Sequence, residues 1–226
     1  MTHLLGIDTS TATLSVAILR DGALVGERTD QVSRNRTGLL ELIDALFVEA
    51  GLTPRDLDAV AVGAGPGSFT GLRIGMATAK GIAFAIGRPL WVVSSLAALA
   101  HAELADDDTG TVVAVLDARR GEVYAGAYRR HERGVIAVGD ERVFAPAEAV
   151  MLATPARYTG DAAATYAELA GLPGTWGITP SGRAVAELAL AGARVDVLIG
   201  GAPSYVRPSE AEVKYPDGIP GAVRKR

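Results

Sequence analysis

Residues 4 to 19, LLGIDTSTATLSVAIL, place two apolar, β-branched runs on either side of a polar stretch from Asp8 to Thr13, which predicts strand, turn and strand. Asp21-Gly22 marks a tight turn, and Leu24 to Thr29 reads as a third strand. From Arg34 to Ala50 the apolar positions Leu39, Leu42, Ile43, Leu46 and Phe47 follow the 3.6-residue period of an amphipathic helix, and Gly51 is placed to end it. Thr53-Pro54 before Leu57 predicts a helical turn, and Ala59 to Gly63 a small buried strand. The loop GAGPGSFTG then leads into a second helix over Gly71 to Ile86. After Pro89 come a strand, Leu90 to Val93, and a capped helix starting near Ser94 or Ser95.

Asp106 to Gly110 is a polar, acidic break, beyond which the opening pattern returns as VVAVLDARRGEVYAGAY. Setting Asp8 over Asp117, an offset of 109 residues, sets Leu14 over Val123, Val16 over Ala125 and Ile18 over Ala127. Such an offset is close to half the chain and points to two related α/β halves, each opening with an antiparallel hairpin. The expected divisions are 1–105, 106–202 and a proline-rich tail, 203–226. The second half should also hold a strand at Arg142 to Phe144 and helices at Pro146 to Leu152, Ala162 to Ala170 and Ser181 to Ala191.

Composition narrows the function. With 22 basic and 26 acidic side chains among 226 residues, the net charge is −4, which argues against a domain that grips nucleic acid unaided. A hydrophobic fraction of 49% fits a globular chain. The absence of cysteine removes disulfides, thiolate metal sites and cysteine nucleophiles. His3, His101 and His131 are too far apart for two to share one helix face, so no metal site of that type is expected. Without a leader-like start or an apolar run of about 18 residues, the chain reads as soluble, unexported and cytoplasmic, with no membrane partner.

Two segments invite a chemical reading. Asp8, Thr9 and Ser10 could form a phosphate-binding hairpin, in which the acid orients a metal or water while a glycine admits the phosphate; no glycine follows Asp8, so a self-satisfied turn is the simpler reading. The loop carrying Gly65, Pro66, Gly67, Ser68 and Thr70 precedes a helix, where anions can bind. It lacks the Gly-Lys-Ser/Thr of a P-loop, fits the dinucleotide fingerprint poorly and holds no Gly-x-Ser-x-Gly. It reads as a structural turn capped by Ser68 or Thr70. Gly71, Gly75 and Ala79 recur every fourth residue in the next helix, with Ala83 one turn on, so another backbone should approach them closely, inside the fold or across an interface. Asp117/Glu122 and Arg119/Arg120 could be functional, but read more simply as a solvated hairpin tip, and Asp106 to Asp108 as a solvated linker.

Taken together, LLGIDTSTATLSVAI, GAGPGSFTGLRIG, VSSLAALA, VLDARRGEVYAGAY and PSYVRP resemble the TsaB (YeaZ) family of tRNA threonylcarbamoyladenosine biosynthesis proteins. The resemblance is strong over residues 4 to 130 and thin from there to Pro203. It implies two ribonuclease-H-like halves of the actin/Hsp70/sugar-kinase (ASKHA) type, with mixed five-stranded sheets and helices. It also implies a non-catalytic scaffold with no catalytic residues, metal or cofactor of its own, paired with the catalytic paralogue TsaD and supporting the ATPase TsaE. ATP or ADP and metal then belong to the partner subunits, tRNA is met through the complex, and a homodimer forms when TsaD is absent. Carried onto this chain, the family's partner interface falls on the first two helices, at Leu39, Leu42, Ile43, Leu46, Gly71, Ile74, Gly75, Thr78, Ala79 and Ile82. On that reading Gly75→Leu should abolish pairing and leave the monomer folded. The rival readings are a small kinase of the same superfamily, similar to type III pantothenate kinases, and a metal-independent, peptidase-like paralogue. The kinase should carry glycine beside its first acidic residue, and this chain does not.

Overall fold

The computed structural model describes residues 1–31, 38–105, 108–132 and 134–196. Positions 34 to 37 of the first expected helix, Asp106-Asp107 and the expected tail lie outside the described residues. The chain opens with β1 (His3–Asp8), β2 (Thr13–Arg20) and β3 (Ala23–Gln31), then runs through α1 (Leu39–Ala50), β4 (Ala59–Gly63), α2 (Phe69–Ile86), β5 (Leu90–Val93) and α3 (Ser95–Glu103). It repeats the plan with β6 (Thr111–Arg119), β7 (Glu122–His131), β8 (Gly134–Ala137), β9 (Arg142–Phe144), α4 (Pro146–Ala149), β10 (Arg157–Gly160), α5 (Ala167–Ala170) and β11 (Gly174–Trp176). It ends, among the described residues, with α6 (Gly182–Ala191) and β12 (Val195–Asp196). The first sheet has the order β12-β5-β4-β1-β2-β3; the second has β11-β10-β6-β7-β8, with β9 also paired to β7. Both are mixed, because an antiparallel hairpin (β1/β2, β6/β7) is extended by parallel strands (β4 and β5, β10 and β11).

Alternation along the strands divides the core into three layers. Leu5, Ile7, Leu14, Val16 and Ile18 face the outer layer of the first sheet, beneath α1 and α2. Val113, Val115, Val123 and Ala125 face the outer layer of the second, beneath α4 and α5. The opposite faces meet in a central layer that contains Leu4 and Leu19 of the first sheet, Val112 and Leu116 of the second, and the buried sides of α3 and α6. Within this layer the final helices are exchanged: α3 packs on β6, β7 and β8, while α6 packs on β1, β2 and β4.

α6 seats on the first sheet through an unusually close backbone approach. A Cβ added at Gly6 would lie 2.0 Å from the Gly182 carbonyl oxygen, and one added at Gly182 would lie 2.6 Å from the Gly6 carbonyl oxygen. Polar groups then satisfy the helix's free amides. Gly182 N–H donates to Ser15 Oγ at 2.9 Å, Ala184 N–H to the capping Ser181 Oγ at 3.1 Å, and Arg183 N–H to the Glu27 carboxylate.

The expected strands and the first two helices are present, with α2 starting two residues earlier than expected, behind its Ser68 cap. Each sheet carries six strands rather than five. The helices expected over Pro146 to Leu152 and Ala162 to Ala170 are single turns, the second preceded by a 3-10 turn at Ala162–Ala164. The 109-residue alignment also slips at the aspartates. Ile7 pairs with Val16 and Val115 with Ala125, all four in outer layers, so the β6 equivalent of Asp8 is Leu116. Asp8 points to the central layer and Asp117 to the outer one, because a one-residue shift on a strand exchanges faces.

The Gly6/Gly182 contact has a direct test. Gly6→Ala would drive a methyl group into backbone that cannot retreat, and should lower unfolding free energy by about 3 kcal/mol in urea titrations. A change within 0.5 kcal/mol would show that α6 shifts freely.

Candidate functional site

β1 delivers Asp8 into the joint between its own sheet and the N-terminus of α3, where the residue is 0% exposed. Its Oδ1 accepts the Ser10 amide at 2.8 Å and the Ser10 hydroxyl at 2.6 Å; its Oδ2 accepts the Ser95 hydroxyl at 2.7 Å. Ser95 Oγ in turn accepts the Gly65 amide at 3.2 Å. Burial pushes the Asp8 carboxyl above its ordinary value, with the Ser10 and Ser95 hydrogen bonds acting against that shift.

The glycine-rich loop closes over this hairpin. Ser68 N–H donates to the Ser10 carbonyl at 2.7 Å, and the Thr9 hydroxyl donates to the Gly71 carbonyl at 2.8 Å. There is no room for a β-carbon on the loop or on the facing side of α2. One would fall 2.0 Å from Asp8 Oδ2 at Gly63, 2.3 Å from the Ser10 carbonyl at Gly67, 2.1 Å from the Thr9 carbonyl at Gly71 and 2.2 Å from Thr9 Oγ1 at Gly75. Ser68 caps α2 by accepting the Gly71 amide at 3.3 Å; Thr70 is exposed. Gly65, Pro66 and Gly67 thus belong to a loop whose glycines answer to the Asp8 hairpin.

A magnesium nucleotide held at such a hairpin needs a carboxylate oxygen and backbone amides turned outward. Here both Asp8 oxygens are engaged, and the Ser10 and Ser68 amides are bonded inside the protein. The residues do not fit that group. Ser10 and Ser95, 2% and 0% exposed, both donate to Asp8 and offer no nucleophile.

The expected interface residues divide into two sets. Leu39, Leu42, Ile43, Leu46 and Ala79 are at most 5% exposed and fill the outer layer of the first sheet. Gly71 and Gly75 lie against Thr9. These seven therefore pack within the chain, and Gly75→Leu would collide with the Asp8 hairpin rather than spare the monomer. Of the rest, Ile74 is 49% exposed, while Thr78 and Ile82 are half-buried. The outward sides of α1 and α2 carry apolar residues that periodicity assigned to neither core nor interface: Leu40 at 64% exposure, Val48 at 75% and Phe84 at 81%, with Ala77 and Gly81 between Ile74 and Phe84.

A second polar cluster lies at the ends of β6 and β10. Asp117 Oδ1 accepts the Arg119 amide at 2.7 Å and the Tyr166 hydroxyl at 2.9 Å, and its own amide donates to Asp161 Oδ1 at 2.9 Å. Burial, helped by the Asp117 charge, raises the Asp161 pKa. Sequence reasoning missed Ser95, Asp161 and Tyr166. Ser95 was legible only as a helix-start residue and Tyr166 only as a position in the expected helix Ala162 to Ala170, while Asp161 falls in no expected element.

The family model described as "TsaD: tRNA N6-adenosine threonylcarbamoyltransferase" matches residues 31–198. The Escherichia coli tRNA threonylcarbamoyladenosine biosynthesis protein TsaB is 38% identical over 134 residues, 59% of this chain; that stretch spans 58% of the relative's length. A Pseudomonas aeruginosa structure described as an uncharacterized protein with similarity to peptidase YEAZ superposes with a TM-score of 0.77 at 31% identity, covering 92% of this chain and 100% of that one. Component A of the Acidaminococcus fermentans (R)-2-hydroxyglutaryl-CoA dehydratase, at 14% identity and a TM-score of 0.52 over 84% of this chain and 97% of that one, shares the ASKHA-type fold alone.

Asp8→Ala would strand three buried donors and should cost about 3 kcal/mol of stability. Folding raises the Asp8 pKa, so its stabilising contribution is full below the ordinary value of 3.8 and is lost as pH rises through the higher folded value. Measured against Asp8→Asn, which cannot titrate, the wild type should therefore lose relative stability as pH rises from about 4 towards neutrality. Paired urea titrations across that range check the sign, and a parallel or opposite trend would contradict it.

Proposed function

The chain belongs to the TsaB (YeaZ) family of tRNA threonylcarbamoyladenosine biosynthesis proteins, and from that premise we propose that it is the non-catalytic scaffold of the complex that installs this modification. The observation that carries the reading is the closed Asp8 hairpin. The carboxylate that a nucleotide-using relative would turn outward is committed to Ser10 and Ser95. Chemistry then falls to TsaD, whose family model covers most of this chain, and nucleotide and metal to TsaD and TsaE. The modified site is the adenosine beside the anticodon of tRNAs that read codons beginning with A.

The partner surface in this reading is the outward side of α1 and α2. Four large apolar side chains, Leu40, Val48, Ile74 and Phe84, stand exposed on helices whose other sides are fully packed. Ala77 and Gly81 leave α2 low enough for a partner helix to approach. The same face serves a homodimer when TsaD is absent.

Two measurements test the proposal. Threonylcarbamoyladenosine, quantified by mass spectrometry in digested tRNA, should form with TsaD, TsaE and threonylcarbamoyl adenylate only when this chain is added; equal yield without it overturns the scaffold role. The pair Ile74→Asp and Phe84→Asp should weaken TsaD binding at least tenfold in calorimetry with Tm unchanged within about 2 °C, since both positions are exposed. Undiminished binding removes this face as the partner surface.

A further inference from the structure

The β6–β7 hairpin uses its two arginines in a conformation that arginine ordinarily avoids. Arg119 (φ 63°) and Arg120 (φ 59°) precede Gly121 (φ 81°), giving three successive left-handed residues. The β2–β3 hairpin turns through Asp21 (φ 50°) and Gly22 (φ 84°), residue types that take this region readily. Within one molecule, the same local demand is met in one place by Asp-Gly and in the other by Arg-Arg-Gly. Turn chemistry does not account for the second choice.

The root of the hairpin is held from several directions. Asp117 accepts the Arg119 amide, the Tyr166 hydroxyl and, at 3.4 Å, the Thr165 hydroxyl. Tyr166 Oη also lies 3.0 Å from the Glu122 carbonyl, across the turn. Two acids at the root of the hairpin are turned inward, since the Asp117 side chain is 8% exposed and Asp161 receives the Asp117 amide, while Glu122 closes the turn opposite Arg119. The Arg119 side chain is 78% exposed although its guanidinium lies 3.2 Å from Asp117, and Arg120 is exposed. Two arginine side chains thus stand at the surface of a braced tip, that of Arg119 ion-paired to Asp117, on a chain whose net charge gives no general attraction for polyanions.

We propose that this tip is a phosphate-contacting surface for folded RNA, with Arg119 and Arg120 as its contact residues. The planar guanidinium fork matches phosphate oxygens bidentately, and two on a rigid support suit adjacent phosphates of one strand. The proposal rests on the reading that the protein works in a tRNA-modifying assembly, but its test needs no partner. The net charge of −4 limits the tip to an auxiliary contact rather than an independent grip.

The experiment is fluorescence anisotropy of a labelled, unmodified tRNA transcript with the full chain alone, from about 20 to 200 mM salt. Wild type should bind weakly at the low end. Arg119→Asn with Arg120→Asn should weaken binding about tenfold and reduce the log–log salt slope by about 2, one for each lost phosphate contact. Asn tolerates the left-handed region better than Arg, so the same variant should keep or raise Tm, which separates lost contact from lost fold. Arg119→Lys with Arg120→Lys should retain the slope. No binding by wild type, or an affinity and slope unchanged in the Asn variant, overturns the proposal. So does a variant that loses affinity for magnesium ATP while keeping its affinity for RNA. Failure here with intact threonylcarbamoyladenosine formation would leave the scaffold reading standing, and the reverse result would remove the scaffold reading alone.

Discussion

The buried carboxylate of Asp8 is the constraint on which the arrangement of the first half turns. It collects the end of β1, the Ser10 turn and the first residue of α3, segments separated by up to 87 positions in sequence, through bonds of 2.6 to 2.8 Å. Ser95 extends the set to the loop through the Gly65 amide, and the Ser95 amide returns a bond to the Gly65 carbonyl at 2.8 Å. A buried carboxylate without such donors would be strongly unfavourable; with them it specifies a single geometry. α2 and α3 leave the sheet in their observed directions because their N-termini are tied to this one point. Gly63, Gly67, Gly71 and Gly75 follow from the same constraint, since each marks a place where the hairpin leaves no volume for a β-carbon.

That geometry also joins the halves. α3 starts at Asp8 on the first sheet and packs along the second, while α6 leaves the second half and seats on Gly6 of the first. The exchanged helices share one buried layer with both sheets. The outer layers differ. α1 and α2, 12 and 18 residues long, cover the first sheet; α4 and α5, four residues each, are the helices over the second. Long helices with a packed inner side and an apolar outer side are suited to meeting another helical surface. Single turns offer no such face.

Legibility in the sequence tracked contrast between polar and apolar positions. β1, β2, α1 and β4 alternate or repeat strongly and were readable almost to their ends. β8, β10, β11 and β12 are two to four residues long, too short to display a period, and passed unread. The Gly71/Gly75/Ala79 spacing correctly demanded a close neighbour, but a period carries no information about which neighbour. Resemblance pointed outward, whereas Thr9 stands 2.2 Å from where a Gly75 β-carbon would be. The exposed partners of that stripe, Phe84 and Val48, were invisible because an apolar residue in a helical pattern looks the same whether it faces core or solvent.

The two aspartates show how far a repeated fold can part from a repeated site. Hydrophobic pattern places Asp8 over Asp117, but ladder pairing places Leu116 at the equivalent of Asp8, and one residue is the difference between facing the joint and facing outward. Asp8 consequently spends its acceptors on the loop and α3, holding the protein together from within. Asp117, on the other face, spends its acceptors on Tyr166 and the Arg119 amide, bracing a hairpin that reaches away from the core. Similar pattern, opposite faces and different bonding partners mean that the second half preserves the scaffold of the first without its carboxylate joint. The space that this leaves at the end of β6 is used to hold a basic turn, in a chain otherwise without a basic bias.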